Sequence, residues 1–516
     1  MLHSERLFCI QINMSEENHL ITERRAKISG LEEAGFTPYA QRFDRTHTAA
    51  EARIFCEKTT LREANDIVEK PISQAQLCGR IMNFRSMGKL AFLKIRDVSG
   101  DFQICLMKNL LEENFKKFEK LLDLGDFCGF EGEFFLTKHG EPTLLVTTVT
   151  PLTKSIRPLP EKFHGLADKE ACYRQRYLDL LTNDETFHRF KIRSEVIRLI
   201  REFLHAKQFT EVETRTLQAQ AGGAMAKVFE THHNALDHEF VLRISLELEH
   251  KMLLAGRFER IFEIGKCFRN EGIDPSHLQE FTMLEWYAAY ADITDNMNWT
   301  QEMIQAIVPK VLKNSKCTVL DKNEKAVEID WSGEWPRMKF GDLLQKYAKI
   351  DMGKITIKDL RTYAVKNCEL SGDEADKMGR GNLLDHVYKK NARPHLIQPT
   401  FVIDWPTDLK PLARPNDDGT SDVYQLLVAG WEIVNSYGEL IDPRLQRNLL
   451  EEQSAAKKAG DEDAMEVDEE FLAAMEYGFP PMTGFGMGID RFVALITEQP
   501  NLRDVVLFPL MKPEKE

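Results

Sequence analysis

Phe268-Arg269-Asn270-Glu271 and, far downstream, Gly484-Phe485-Gly486-Met487-Gly488-Ile489-Asp490-Arg491 are the stretches whose reading decides the fold. Each sets one arginine beside backbone that a phosphate can approach closely, the first on a loop between strand-like runs and the second after alternating glycines. Glycine at 484, 486 and 488 leaves one side of an extended segment bare, so a flat or charged ligand can lie against the main chain. Together the two motifs predict a grip on a triphosphate from both ends. Neither specifies this alone, because Gly-x-Gly-x-Gly is frequent at tight packing sites and Arg-Asn-Glu turns are frequent on surfaces. Their order gives them weight: strand, loop with arginine, aromatic-rich strand, then a glycine-spaced strand running into a helix whose first turn holds the second arginine.

The chain has 516 residues, enough for more than one domain. With 43% hydrophobic and 29% charged residues it has the balance of a globular protein in water. No apolar run approaches the ~20 residues that a membrane span needs. Met1-Leu2-His3-Ser4-Glu5-Arg6 lacks the basic start and apolar block of a signal peptide. A cytoplasmic protein without a membrane partner is therefore expected. Met14-Ser15-Glu16-Glu17 reads as a more natural start than Met1, and the first thirteen residues as a disordered tail or a misassigned start. The nine cysteines are scattered, odd in number and never in a Cys-x-x-Cys pair, which suits reduced thiols. His232-His233 has no companion ligands at zinc spacing.

A net charge of −14 argues at face value against a nucleic-acid partner. Local balance matters more, since charges are screened over roughly 10 Å. Residues 72–151 carry ten Lys+Arg against ten Asp+Glu, and 152–176 carry six against three. Much of the acidity lies further on, around Asp461 to Glu470. An RNA contact through the front half is permitted.

Four regions follow from the patterning: a largely helical extension over 1–71, alternating short runs over 72–151, a proline-punctuated connector over 152–183, and mixed strands and helices over 184–516. Between 72 and 151 five strand-like runs, with one helix-like interruption between the third and fourth, fit a five-stranded β-barrel of the oligonucleotide-binding type. Such a barrel binds single strands on its open face by stacking bases on aromatics and bonding their edges. Arg80, Phe92 and Gln103 fall mid-strand on its first three runs. Beyond the connector there is no regular strand-helix alternation, so an antiparallel sheet flanked by helices is expected and the fold class is α+β.

Strand parity selects candidate pocket residues. In Phe281-Thr282-Met283-Leu284-Glu285-Trp286-Tyr287, residues Phe281, Glu285 and Tyr287 share a face. Asn435, Tyr437 and Glu439 likewise share a side of Ile433-Val434-Asn435-Ser436-Tyr437-Gly438-Glu439. Carboxylates beside tyrosines suit a long aliphatic cation, with acids on the ammonium and rings over the stem.

With these residues in view the chain resembles a class II lysyl-tRNA synthetase of the bacterial type. Beyond the two opening motifs, the supporting strings are Arg157 to Gly165, Tyr173-Arg174-Gln175-Arg176-Tyr177-Leu178-Asp179-Leu180, Glu211-Val212-Glu213-Thr214, Thr231-His232-His233-Asn234-Ala235-Leu236-Asp237 and His395-Leu396-Ile397-Gln398-Pro399-Thr400-Phe401. The similarity runs from about residue 20 to the C-terminus. It implies an N-terminal anticodon-binding barrel and a class II catalytic domain, with ATP, L-lysine and tRNA(Lys) as substrates, Mg2+ as the cofactor and a homodimer as the assembly. Lysine would first be activated to lysyl-adenylate and then passed to the 3′ end of the tRNA.

The resemblance also implies roles. Arg269 and Arg491 would be catalytic, holding the α- and γ-phosphates, with Arg269 also on the lysine carboxylate. Glu271 and His277 would sit near adenine and triphosphate, Phe281 would stack on adenine, and Glu432 would complete the ATP site. Lysine would meet Gly223, Glu247, Glu285, Tyr287, Asn435, Tyr437 and Glu439, the last on its side-chain ammonium. Arg80, Phe92, Gln103 and Glu141 would read the anticodon. The metal would rest on Glu432, with Gln425 standing where a second glutamate is expected, a weaker ligand for a hard cation. Parity puts Glu432 opposite Asn435, so this role requires a bulge. Arg215, Leu246, Leu278-Gln279 and Trp431 also depart from the pattern.

Three other readings share parts of it. An aspartyl- or asparaginyl-tRNA synthetase needs a positive group or a fitted amide partner in the pocket, a lysyl transferase acting on protein lacks the barrel, and an RNA-binding paralogue lacks activity.

Overall fold

The computed structural model describes residues 19–63, 74–160, 168–220, 222–224, 226–321, 325–458 and 467–513. The expectation for residues 1–13, and part of the 157–165 connector, lie outside them. The chain divides between residues 165 and 166 into two compact units.

In the first unit, strands β1 (Ala75–Met87), β2 (Leu90–Asp97), β3 (Gly100–Met107), β4 (Phe127–Leu136) and β5 (Pro142–Thr153) form a closed barrel. They run in the order β4-β1-β2-β3-β5, with β5 pairing back onto β4. Helix α1 (Glu113–Leu121) lies between β3 and β4, where the alternation is interrupted. Period-two patterning turns Leu77, Leu93, Ile95, Phe102, Ile104, Phe130 and Leu144 inward, and α1 adds Phe115 and Phe118. At Gly132 the β4–β5 register shifts, and a Cβ there would lie 1.9 Å from the Leu145 carbonyl oxygen, so only glycine permits this corner.

The second unit is built on an eight-stranded sheet. Its six central strands are antiparallel, in the order β8 (Thr400–Pro406), β9 (Thr420–Val428), β10 (Trp431–Gly438), β11 (Met482–Gly488), β7 (Glu280–Ala289) and β6 (Arg260–Phe268). Arg337–Lys339 and Thr210–Glu211 add a short parallel strand at each edge. Helices α2 (Asp184–Ala206), α4 (Ile293–Leu312) and α5 (Ile489–Ile496) contribute to the apolar core beneath one face. Helix α3 (Glu247–Ala255) contacts β7. The α+β architecture read from the sequence is thus the one found.

Alternation along β7 sends Leu284, Trp286 and Ala288 into that core. Trp286 stacks on Phe485 with ring centroids 3.4 Å apart, and its Nε1–H donates to Asn296 Oδ1 (2.6 Å) on α4. The fully buried Asn296 amide donates in turn to Ser436 Oγ (2.8 Å), Thr483 Oγ1 (3.1 Å) and the Gly484 carbonyl (3.0 Å). A satisfied buried network of this kind fixes one register. It locks β10, β11 and β7 from below and so sets the heights of the side chains on the opposite face.

Candidate active site

That opposite face carries a cavity of about 300 Å³. Its wall includes both arginines of the opening motifs, Arg269 and Arg491, together with Glu271, His277, Phe281 and Glu432. It also includes Gly223, Glu247, Glu285, Tyr287, Asn435, Tyr437 and Glu439. Gln425 is not among the lining residues. It pairs with Asn435 across β9 and β10 and directs its Nε2 toward Asn435 Oδ1 at 3.5 Å.

Two devices position the arginines. Arg269 follows β6, its guanidinium carbon 5.1 Å from the centroid of the Phe281 ring and its buried Nε without a hydrogen-bond partner among the described residues. The loop beyond it is closed by Gln279 Nε2–H donating to the Gly272 carbonyl (2.8 Å), so Gln279 has a structural use at one of the departures from the family pattern. Arg491 lies in the first turn of α5 and donates to the Glu432 carbonyl (3.3 Å). Its neighbour Asp490 pairs with Arg193 on α2 (2.6 Å) and accepts from the Thr282 N–H on β7 (2.7 Å), which anchors that turn.

The acidic end is more heavily built than the sequence reading anticipated. Glu285 accepts from Ser245 Oγ, the Leu246 N–H and Tyr287 OH, all at 3.2 Å. None of these donors is charged, and burial pushes its carboxyl above the ordinary range. Directly across on β6 is Glu263, which is charge-compensated by Arg243 (2.8 Å) and also bonded to His250 (3.2 Å). Glu439 sits one residue past β10, its N–H donating to the Met482 carbonyl (3.0 Å). Its Oε1 has no hydrogen-bond partner among the described residues.

Between Glu247 and Glu439 lies Lys251, which the sequence reading did not select. Its fully buried Nζ is 2.6 Å from Glu247 Oε1 and 2.5 Å from Glu439 Oε2. Burial pulls this ammonium down, and the two carboxylates more than offset that, leaving it raised. Burial pushes Glu439 up to about 8 against the pull of Lys251. The visible signal was the Glu247/Lys251 spacing of four on a helix, ordinarily a solvent-exposed pair.

Gly484 is a requirement of this arrangement. A Cβ there would lie 2.1 Å from Glu439 Oε1 and 2.4 Å from Tyr287 Cε1. At Gly486 and Gly488 the nearest atoms are 3.7 and 3.9 Å away, so those two leave open floor instead.

Glu432 reaches the same cavity as Asn435 because the β9–β10 register shifts between Leu426 and Leu427, which pair with Val434 and Glu432 respectively. This is the bulge that strand parity required, and Ile433 is the extra residue. Burial pushes the Glu432 carboxyl up, and the positive field of Arg393, Arg491, Lys410 and Lys389 outweighs it, holding the group below the usual carboxylate range.

On the barrel, Arg80, Phe92 and Gln103 share the outer face of β1, β2 and β3. Arg80 donates to the Gly125 carbonyl (2.9 Å) and stands 4.2 Å from the Phe127 ring centroid. Phe92 is half-buried beside Cys105, Phe135 and Leu145. Gln103 Nε2–H donates to Thr143 Oγ1 (2.8 Å), and that hydroxyl donates to the carbonyl of Glu141 (3.1 Å) in the β4–β5 turn. Among the described residues no helix is long and apolar enough to cross a membrane.

Comparison with known proteins gives concordant matches. The family described as tRNA synthetases class II (D, K and N) matches residues 168–512, and an OB-fold nucleic acid binding domain matches 75–152. Proteins named lysine-tRNA ligase are similar along nearly the whole chain. The one from Pelotomaculum thermopropionicum is 42% identical over 96% of this chain and 96% of its own length. That from Pediococcus pentosaceus is 41% identical over 96% and 98%, and that from Moorella thermoacetica 41% over 98% and 100%. An oligonucleotide-binding barrel followed by an antiparallel sheet with two arginines and an acidic wall on one face, matched at this identity and length, places the chain in the class II tRNA synthetases of the D, K and N group.

Proposed function

We propose that this chain is a lysyl-tRNA synthetase that joins L-lysine to tRNA(Lys) in two steps. In the first, a carboxylate oxygen of lysine attacks the α-phosphorus of ATP, the bond to the β-phosphate oxygen breaks, and pyrophosphate leaves. In the second, a 3′-terminal hydroxyl of the tRNA attacks the lysyl carbonyl, and AMP departs with the bonding pair. Chemistry of this kind needs alignment and charge neutralisation more than a protein acid or base. Arg269 would draw the lysine carboxylate and α-phosphate together, and Arg491 would hold the far phosphate. Phe281 would stack on adenine, with Glu271 and His277 at the loop beside it.

One observation carries the choice of lysine. Three buried carboxylates, Glu247, Glu285 and Glu439, line the cavity, and one buried ammonium, Lys251, pairs with two of them. Once an entering cation draws all three into the ionised form, two negative charges are left for the ligand, and lysine brings two ammonium groups with a carboxylate for the arginine. Glu439 and Tyr437 would take the side-chain end, and Gly223, Glu285, Tyr287 and Asn435 would enclose the rest. An aspartate or asparagine pocket would need a donor free at this acidic end of the cavity, whereas Lys251 there is already shared by two acids.

The family in general depends on ATP and a divalent metal. The residues present do not make a protein-held metal site: no cluster of three or more His, Cys, Asp or Glu able to hold an ion occurs among the described residues, and Gln425, which pairs with Asn435, offers only an amide. Mg2+ would therefore belong to the nucleotide as its counterion. Arg80, Phe92, Gln103 and Glu141 would read the anticodon, with the chain acting as a cytoplasmic homodimer. The test is exchange of pyrophosphate into ATP with each amino acid in turn, followed by tRNA charging. Exchange with lysine alone is expected, and exchange driven by aspartate or asparagine, or none at all, would contradict the proposal.

A further inference from the structure

The departure at Gln425 has a partner in space. Lys410 lies on the irregular segment between β8 and β9, and its Nζ is 3.4 Å from Asn435 Oδ1, the same oxygen that faces Gln425 Nε2 at 3.5 Å. The ammonium stands 5.1 Å from the Trp405 ring centroid and 5.5 Å from that of Tyr437, a cavity residue. Among the described residues no carboxylate lies within 4.0 Å of it; burial pulls the ammonium down, and the more distant carboxylates of Glu432, Asp385 and Glu247 act to keep it charged. An ammonium held by an amide oxygen and two rings, with its carboxylates out of contact, is a charge that an anionic ligand can meet directly.

The charge balance is informative. A glutamate at 425 with a divalent ion carries a net charge of plus one, and so does a glutamine at 425 with the Lys410 ammonium. We propose that Lys410 takes the place of a protein-held metal ion at the Glu432 end of the cavity, so that this chain binds only the divalent ion its nucleotide carries. This rests on the synthetase reading above. An ammonium fixed by Asn435 and the two rings supplies its charge without an ion to capture, which makes metal dependence shallower while leaving the reaction unchanged.

The test counts ions on the full chain. Mn2+ binding is followed by electron paramagnetic resonance with a non-hydrolysable ATP analogue, for the wild type and for Lys410→Ala/Gln425→Glu. One ion per site is expected in the wild type, and at least one more in the double variant. Two or more ions in the wild type, or no gain in the double variant, would overturn the proposal. In parallel, Lys410→Arg should keep lysine-dependent exchange within a fewfold of wild type, while Lys410→Ala should lower kcat by roughly tenfold or more with little change in the KM for lysine. Equal loss in both variants would overturn the charge role. Wild-type exchange with lysine tests the synthetase reading itself, independently of the ion count.

Discussion

At the scale of single residues the lysine pocket turns on Glu439, whose Oε1 faces Gly484 without a hydrogen-bond partner among the described residues and whose Oε2 meets Lys251. Glu439→Gln keeps the shape and removes the charge. It should raise the KM for lysine roughly a hundredfold, about 3 kcal/mol, with a much smaller change in the KM for ATP, as read from pyrophosphate exchange. Near-normal lysine kinetics would remove Glu439 from the pocket. The pH dependence has a definite sign. With its carboxyl pushed up to about 8, ligand-free Glu439 is largely protonated below that pH, and an entering ammonium favours the ionised form. Lysine binding should therefore release a proton, and its affinity should rise between about pH 6.5 and 8 before levelling off. Calorimetry in buffers of different ionisation enthalpy measures this directly, and an affinity flat across that window would contradict it.

At the scale of elements, helix α3 matters because it inserts Lys251 between two acids. Lys251→Met leaves Glu247 and Glu439 buried without their counter-charge and should destabilise the second unit by about 3–5 kcal/mol in urea unfolding. The loss should shrink as pH falls, because the carboxyls left behind can take up protons; a loss that grows with acidity would refute this. The same elements show what the sequence makes legible. Along β7 and β10 a period of two suffices to put Glu285, Tyr287, Asn435 and Tyr437 on one face, and the barrel strands alternate as cleanly. Glu432 resisted that reading because a one-residue bulge reverses parity and Ile433 carries no mark of it. Lys251 had a helical spacing that described a surface pair equally well, since burial of α3 is decided by its contact with β7. Lys410 lies where the chain has no period, and only the fold brings it to Asn435.

At the scale of the molecule the two units should divide the labour. Phe92 on the barrel should matter to tRNA and not to adenylate formation. Phe92→Ala is expected to raise the KM for tRNA roughly tenfold through loss of a stacked base while leaving pyrophosphate exchange intact, and equal loss of both would argue against a separate anticodon surface. The barrel and the sheet were readable because each repeats one simple pattern over many residues; the ion count was not, because it turns on Gln425 and Lys410, separate in sequence and joined through one oxygen of Asn435. In the proposed complex, acids converge on the amine tail of lysine while guanidinium groups bracket the nucleotide. A crystal structure with L-lysine and a non-hydrolysable ATP analogue tests it most directly. The lysine Nζ should lie within hydrogen-bond distance of Glu439, the carboxylate on Arg269 and the far phosphate on Arg491; lysine bound in the opposite sense, or a triphosphate touching neither arginine, would overturn this arrangement.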